Sequence, residues 1–307
     1  MSRQQREHLN AAYRSRPRPV TPPTAEEQRA GFAAALTRPA LEDVAVRRTA
    51  LGGRPALELA PAGTAGPGRL LYLHGGGYLV GSPDTHAGLA GELARRAGLH
   101  AVSLDYRLAP EHVFPAAVDD GLAAYRELLA TGTDPRTLVL AGDSAGGALA
   151  LATLLAARAA GLPQPAAVVL FSPWVDLALR GGSLRTKADA DRIFTEADLR
   201  AYAAHYLGAA DPENPLASPL YADLTGLPPL LIQVGANELV LDDAVRLAAR
   251  AGAADVDVTL EIGGNLPHVF QHHYGRLEEA DAALDRAAAF LTAHLGAAVT
   301  AVTAVTA

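Results

Sequence analysis

The chain has 307 residues, enough for one large α/β domain or two small ones. Half of them are hydrophobic and 19% are charged, which excludes a disordered or fibrous chain and allows a sizeable core. With 26 Lys and Arg against 33 Asp and Glu, a net charge of −7, the composition argues against nucleic acid as a partner, and the lack of cysteine excludes disulfides, thiol catalysis and thiolate metal sites.

The first 23 residues are polar and carry five arginines, so they do not read as a secretory leader. Residues 1–40 suggest one or two short helices interrupted by the proline-rich stretch Pro17–Pro23. Val44–Ala50 and Pro55–Leu59, separated by Gly52-Gly53, read as an antiparallel hairpin at a sheet edge. Arg69–Leu73, Ala101–Asp105, Thr137–Ala141, Ala167–Phe171, Leu230–Val234 and Val256–Ile262 are short apolar runs of the buried-strand type. Helical patterns alternate with them over Ala87–Ala97, Ala116–Ala130, Gly146–Ala160, Asp242–Ala251 and Glu278–Leu295. That rhythm predicts an α/β fold with a mostly parallel sheet covered by helices on both faces. The most apolar helical run, Ala145–Ala160, contains Arg158 and falls short of the roughly 20 residues a membrane span needs, so no membrane partner is expected and the expected location is the cytoplasm. Residues 173–229 form a long insertion between two core strands, with a helix near Glu196–Leu207, and insertions of this length commonly act as lids. The repetitive C-terminus, residues 299–307, reads as a tail.

Gly142-Asp143-Ser144-Ala145-Gly146 fits the pattern G-x-S-x-G and lies between a predicted strand and a predicted helix, the context a nucleophile elbow requires. The following helix would aim its N-terminus at the reacting centre. His74-Gly75-Gly76-Gly77-Tyr78 follows an earlier strand, and a triglycine there leaves backbone N–H groups free to converge on an oxyanion together with the amide of Ala145. Of the ten histidines, His268 follows the last strand and is placed at the same carboxyl edge as Ser144. His8, His86, His100, His112, His205, His272, His273 and His294 read mostly as solvated, and His74 as a hydrogen-bonding part of the glycine loop. The acid should follow the penultimate strand, where Glu238, Asp242 and Asp243 are the candidates, giving the chain order serine, acid, histidine. Asp242 and Asp243 stand just before a helix and could be occupied in capping it. Neither a P-loop nor a dinucleotide fingerprint occurs, and His86, His100 and His112 lack metal spacing, so neither cofactor nor metal is expected.

These motifs, with DYRLAPEHVFPA (105–116), FSPWVDL (171–177), DPENPLASPLYADLTGLPPLLIQVG (211–235) and PHVFQ (267–271), resemble those of the hormone-sensitive-lipase-like α/β-hydrolase carboxylesterases, in the branch with GDSAG. The resemblance runs from about 69 to 295. It implies Ser144 as nucleophile, His268 as base, Glu238 as acid with Asp242 as the alternative, and Gly76, Gly77 and Ala145 as oxyanion donors. It also implies a cap from residues 1–40 and 173–229 over a core of 41–172 and 230–298, and hydrolysis of short- to medium-chain acyl esters through an acyl-enzyme. A lactonase or aryl-amide hydrolase would share that machinery, and a ligand-binding relative with weak catalysis is the remaining alternative. A homodimer is a candidate assembly. Relatives often carry Asp where this chain has Glu238, and an aromatic near Gly263, whose loss would widen the pocket beside the base. Asp105, Arg107 and Glu111 read as a structural network and Trp174 as packing under the cap.

Overall fold

The apolar runs become strands because each can be buried on both faces at once. In this computed structural model, which describes residues 2–15, 24–39, 41–64 and 66–305 (296–305 as backbone only), eight strands form one sheet. They are β1 (Val44–Leu51), β2 (Arg54–Pro61), β3 (Arg69–Leu73), β4 (His100–Leu104), β5 (Leu138–Asp143), β6 (Ala167–Phe171), β7 (Leu230–Gly235) and β8 (Val258–Gly263), in the order β1-β2-β4-β3-β5-β6-β7-β8. The hairpin β1–β2 is antiparallel and β2 meets β4 antiparallel, while the remaining neighbours are parallel.

Nine helices are described: α1 (Ser2–Arg14), α2 (Ala25–Leu36), α3 (Pro83–Ala97), α4 (Ala116–Ala130), α5 (Ala145–Ala159), the short α6 (Ser183–Thr186), α7 (Glu196–Leu207), α8 (Leu241–Ala253) and α9 (Glu278–Val305). Alternation along the strands sends Leu71, Leu73, Leu138 and Leu140 to the face covered by α4, α5 and α8, and Leu70, Tyr72, Val139 and Ala141 to the face covered by α3 and α9. Each fully buried leucine contributes about 1.5–3 kcal/mol, so this double-sided burial secures the central strands against register slip.

α9 continues to Val305, through most of the stretch expected as a tail, in keeping with its alanine content. Pro17–Pro23 lies outside the described residues. No helix among the described residues is long and apolar enough to cross a membrane.

Chain order and sheet order diverge at β3, which is flanked by β4 on one side and β5 on the other. Such a switch point opens a crevice at the carboxyl ends of the strands. The glycine loop follows β3 and the G-x-S-x-G turn follows β5, so the two meet there. β7 and β8 are likewise neighbours, which brings the segments holding Glu238 and His268 together at the same edge.

Candidate active site

Ser144 joins β5 to α5 with φ +53° and ψ −124°, a strained conformation for a residue with a side chain. Two glycines make the turn feasible. A Cβ on Gly146 would lie 2.1 Å from the carbonyl oxygen of Leu73, and one on Gly142 would lie 2.4 Å from that of Gly146. The Ser144 amide donates to Phe171 O at 2.8 Å and its carbonyl accepts from Trp174 N at 3.1 Å, which fixes the turn to the strand beside it.

His268 Nε2 lies 2.9 Å from Ser144 Oγ, and His268 Nδ1 lies 2.7 Å from Glu238 Oε2. A carboxylate can only accept, so Nδ1 carries the proton and the Nε2 lone pair accepts the serine hydroxyl. Burial alone would lower the pKa of the His268 imidazole, but the Glu238 carboxylate overcomes this and raises it above the ordinary value. The other carboxylate oxygen, Glu238 Oε1, accepts from Ser172 Oγ at 2.7 Å and from the Gly235 amide. Ser172 Oγ in turn accepts from the Val269 amide at 3.0 Å, so one hydroxyl links the acid to the backbone next to the histidine.

The predicted acids divide. Asp242 Oδ2 accepts from the Ser183 amide at 2.9 Å, and Asp243 Oδ2 accepts from the amides of Val175 and Asp176, each at 2.9 Å. Neither meets His268, and neither caps its own helix: α8 starts after Val240 with no side-chain cap. The capping expectation is therefore corrected, because the first turn of α8 faces the start of the 173–229 insertion and the two carboxylates satisfy amides there instead.

The glycine loop lies opposite the serine. Gly76 (φ +124°) and Gly77 (φ +59°) hold conformations that favour glycine, and a Cβ on Gly77 would fall 2.6 Å from the Tyr202 ring. The amides of Gly76, Gly77 and Ala145 donate to no acceptor among the described residues, which leaves them free for a ligand. The loop is anchored by Asp143, whose Oδ1 accepts from the Gly75 amide at 3.0 Å and from Tyr72 Oη at 2.7 Å. His74 holds the loop as expected, with Nδ1 at 2.8 Å from Gly75 O, its ring stacked on Tyr106 at 4.2 Å. Burial and neighbouring His86 push its pKa down to about 3, so it is neutral.

Asp143 is the residue the motif carried without a role. It is 2% exposed, and its Oδ2 lies 3.3 Å from His86 Nε2 and 3.9 Å from His272 Nε2. Burial opposes its charge, but the two imidazoles hold its pKa well below the usual range. His86 and His272 were expected to be solvated; His86 is fully buried and His272 largely so, because α3 and the turn after His268 both pack against the elbow. His86, Asp143 and His272 offer ligand atoms within 4.8 Å of one another, a spacing a cation could bridge, from positions too scattered in sequence for a metal motif to reveal.

A cavity of about 300 Å³ opens onto Ser144 and His268. One wall comes from the insertion: Ile193, Phe194, Leu199 and Tyr202, with Trp174 and Val240. The other comes from the N-terminal helices and the segment after His268: Tyr13, Phe32, Leu36, Arg38, His272, His273 and Arg276. Trp174 is buried, as expected, yet it also lines the cavity. Gly263 does not line it. A Cβ at Gly263 would stand only 2.4 Å from Leu266 Cδ1, so the Leu266 side chain packs directly on this glycine. Arg107 pairs with Asp120 at 2.7 Å and Glu111 with Arg29 of α2 at 2.6 Å; these charges do order loops, though with partners outside the motif.

Comparison with known proteins places the fold. A family model described as alpha/beta hydrolase fold matches residues 70–272. An acetyl-hydrolase of Streptomyces hygroscopicus is 49% identical over 74% of this chain and 76% of its own length. An ethyl acetate hydrolase of Pseudomonas putida is 35% identical over 74% of this chain and 73% of its own. A crystal structure of an esterase from the bacterial hormone-sensitive lipase family is 43% identical, with a TM-score of 0.90 over 95% of this chain and 98% of that one. The chain belongs to the α/β-hydrolase fold family and, within it, to the hormone-sensitive-lipase-like esterases, enzymes that hydrolyse ester bonds.

Proposed function

We propose that the chain is a serine carboxylesterase for short- to medium-chain acyl esters, with Ser144 as nucleophile, His268 as base, Glu238 as acid, and Gly76, Gly77 and Ala145 as oxyanion donors. The observation that carries this reading is the continuous line from Ser144 Oγ through His268 to Glu238, with contacts of 2.9 and 2.7 Å. As Oγ attacks the ester carbonyl, its proton passes to Nε2, and Glu238 stabilises the imidazolium. The carbonyl oxygen becomes an anion facing three uncommitted amides, those of Gly76 and Gly77 in the loop after β3 and that of Ala145 at the N-terminus of α5. Nε2–H then protonates the departing alkoxide, leaving an acyl-serine, and a water activated by the same Nε2 releases the acid.

The size preference rests on the cavity, about 300 Å³, at the lower end of small-molecule sites. The names of two relatives point the same way, since one is an acetyl-hydrolase and another an ethyl acetate hydrolase. Residues 1–40 and 173–229 serve as the cap: Tyr202 Oη of α7 donates to Gln28 Oε1 of α2 at 3.0 Å across the top of the site.

Kinetics on p-nitrophenyl esters of rising chain length test the reading. Ser144→Ala should lose about six orders of magnitude in kcat while remaining folded. Residual turnover within tenfold of wild type would remove Ser144 as nucleophile, and a maximum on long acyl chains would remove the size preference.

A further inference from the structure

The two walls of the cavity differ in chemistry. The insertion side is apolar and aromatic, whereas the opposite side carries Arg38, His272, His273 and Arg276. Neither Arg38 nor Arg276 is ion-paired with a carboxylate among the described residues. The guanidinium carbon of Arg38 stands 4.9 Å from the centroid of the Tyr274 ring, within cation–π range. Among the described residues, Asp143 is the one carboxylate that lines the cavity, and it is buried beneath the elbow, with Oδ1 accepting from Tyr72 and the Gly75 amide and Oδ2 facing His86 and His272.

A chain of net charge −7 thus places two arginines without a carboxylate ion-pair partner among the described residues along one side of its cavity. A neutral acyl ester has no use for two guanidinium groups, and a cationic substrate would be repelled by them. An anionic substrate would gain both steering into the cleft and charge-assisted hydrogen bonds at its rim.

Building on the esterase reading, we propose that the preferred substrates are esters bearing a carboxylate or similar acidic group away from the scissile carbonyl, received by Arg38 and Arg276. The apolar wall takes the uncharged remainder of the molecule. Burial lowers the pKa of the His272 imidazole, with His86 and Arg38 acting in the same direction, whereas the two arginines stay charged at neutral pH.

The test compares two matched pairs of substrates. In one the charge is on the acyl side (monoethyl glutarate against ethyl pentanoate), and in the other it is on the alcohol side (4-acetoxyphenylacetate against 4-ethylphenyl acetate). In at least one pair the anionic ester should have the higher kcat/KM. That preference should fall by about tenfold in the double variant Arg38→Gln, Arg276→Gln, and also in about 0.5 M salt. A preference for the neutral ester in both pairs overturns the proposal, as does an anionic preference that the double variant leaves unchanged. Turnover of the neutral esters reads the esterase activity separately, so a failure there is distinguishable from a failure of charge selection.

Discussion

His268 can act as a base only while Nε2 is unprotonated, and its pKa lies above the ordinary 6.5 because Glu238 outweighs burial, with Asp191 and Asp143 acting in the same direction. The rate kcat/KM should therefore decline as pH falls through a midpoint above 6.5. Glu238→Gln removes the largest raising influence, so the acid limb should move to lower pH while kcat drops by about 10² to 10⁴. An unchanged acid limb would mean that another group controls it. Ser172 is the residue the sequence did not single out, since a serine after a strand has no signature of its own. Its hydroxyl holds Glu238 Oε1 and the Val269 amide together. Ser172→Ala should lower kcat by about tenfold or more, since a hydrogen bond to a charged group is worth about 1.5–3 kcal/mol. It should leave KM for small esters near wild type, which steady-state kinetics can check.

At the scale of elements, α8 and the start of the 173–229 insertion are joined by carboxylates that accept backbone amides. Burial and the nearby Asp176 push the Asp243 carboxyl well above its usual range, so its value lies in its acceptor oxygen more than in its charge. Asp243→Ala would orphan two buried N–H groups and should cost about 2–4 kcal/mol, whereas Asp243→Asn keeps an acceptor and should cost under about 1 kcal/mol. Equal losses in urea melts would contradict this account. α2 is held differently. Arg29 reaches Glu111 and also the carbonyls of Leu79 and Ala109, at 2.9 and 2.8 Å. The ion pair is largely exposed, so most of the loss in Arg29→Ala should come from the carbonyl contacts, about 1–2 kcal/mol in all. Because Phe32 and Leu36 of the same helix line the cavity, KM should rise in that variant, more than kcat falls.

At the scale of the whole molecule, the sequence by itself determined the sheet and its covering helices, and it singled out Ser144, His268 and the Gly76-Gly77 pair as candidate site residues. Each of these is written in a local pattern: an apolar run of strand length, or a motif at the carboxyl end of such a run. It also limited the acid to the few carboxylates after β7. Glu238 was named there by resemblance, and the fold adds what the sequence did not hold: Asp242 and Asp243 accept from amides of a segment about 60 residues earlier, a competition that no local pattern records. The same holds for His86 and His272, read from sequence as solvated although packing buries both against Asp143, and for Arg29 with Glu111, 82 residues apart. The cavity is likewise a product of packing, since its two walls come from the chain's first 40 residues, its middle insertion and the turn after His268. Side-chain partners and cavity chemistry depend on which distant segments meet, and that is settled by burial of the whole sheet, which fixes strand order, and not by the residues that end up in contact.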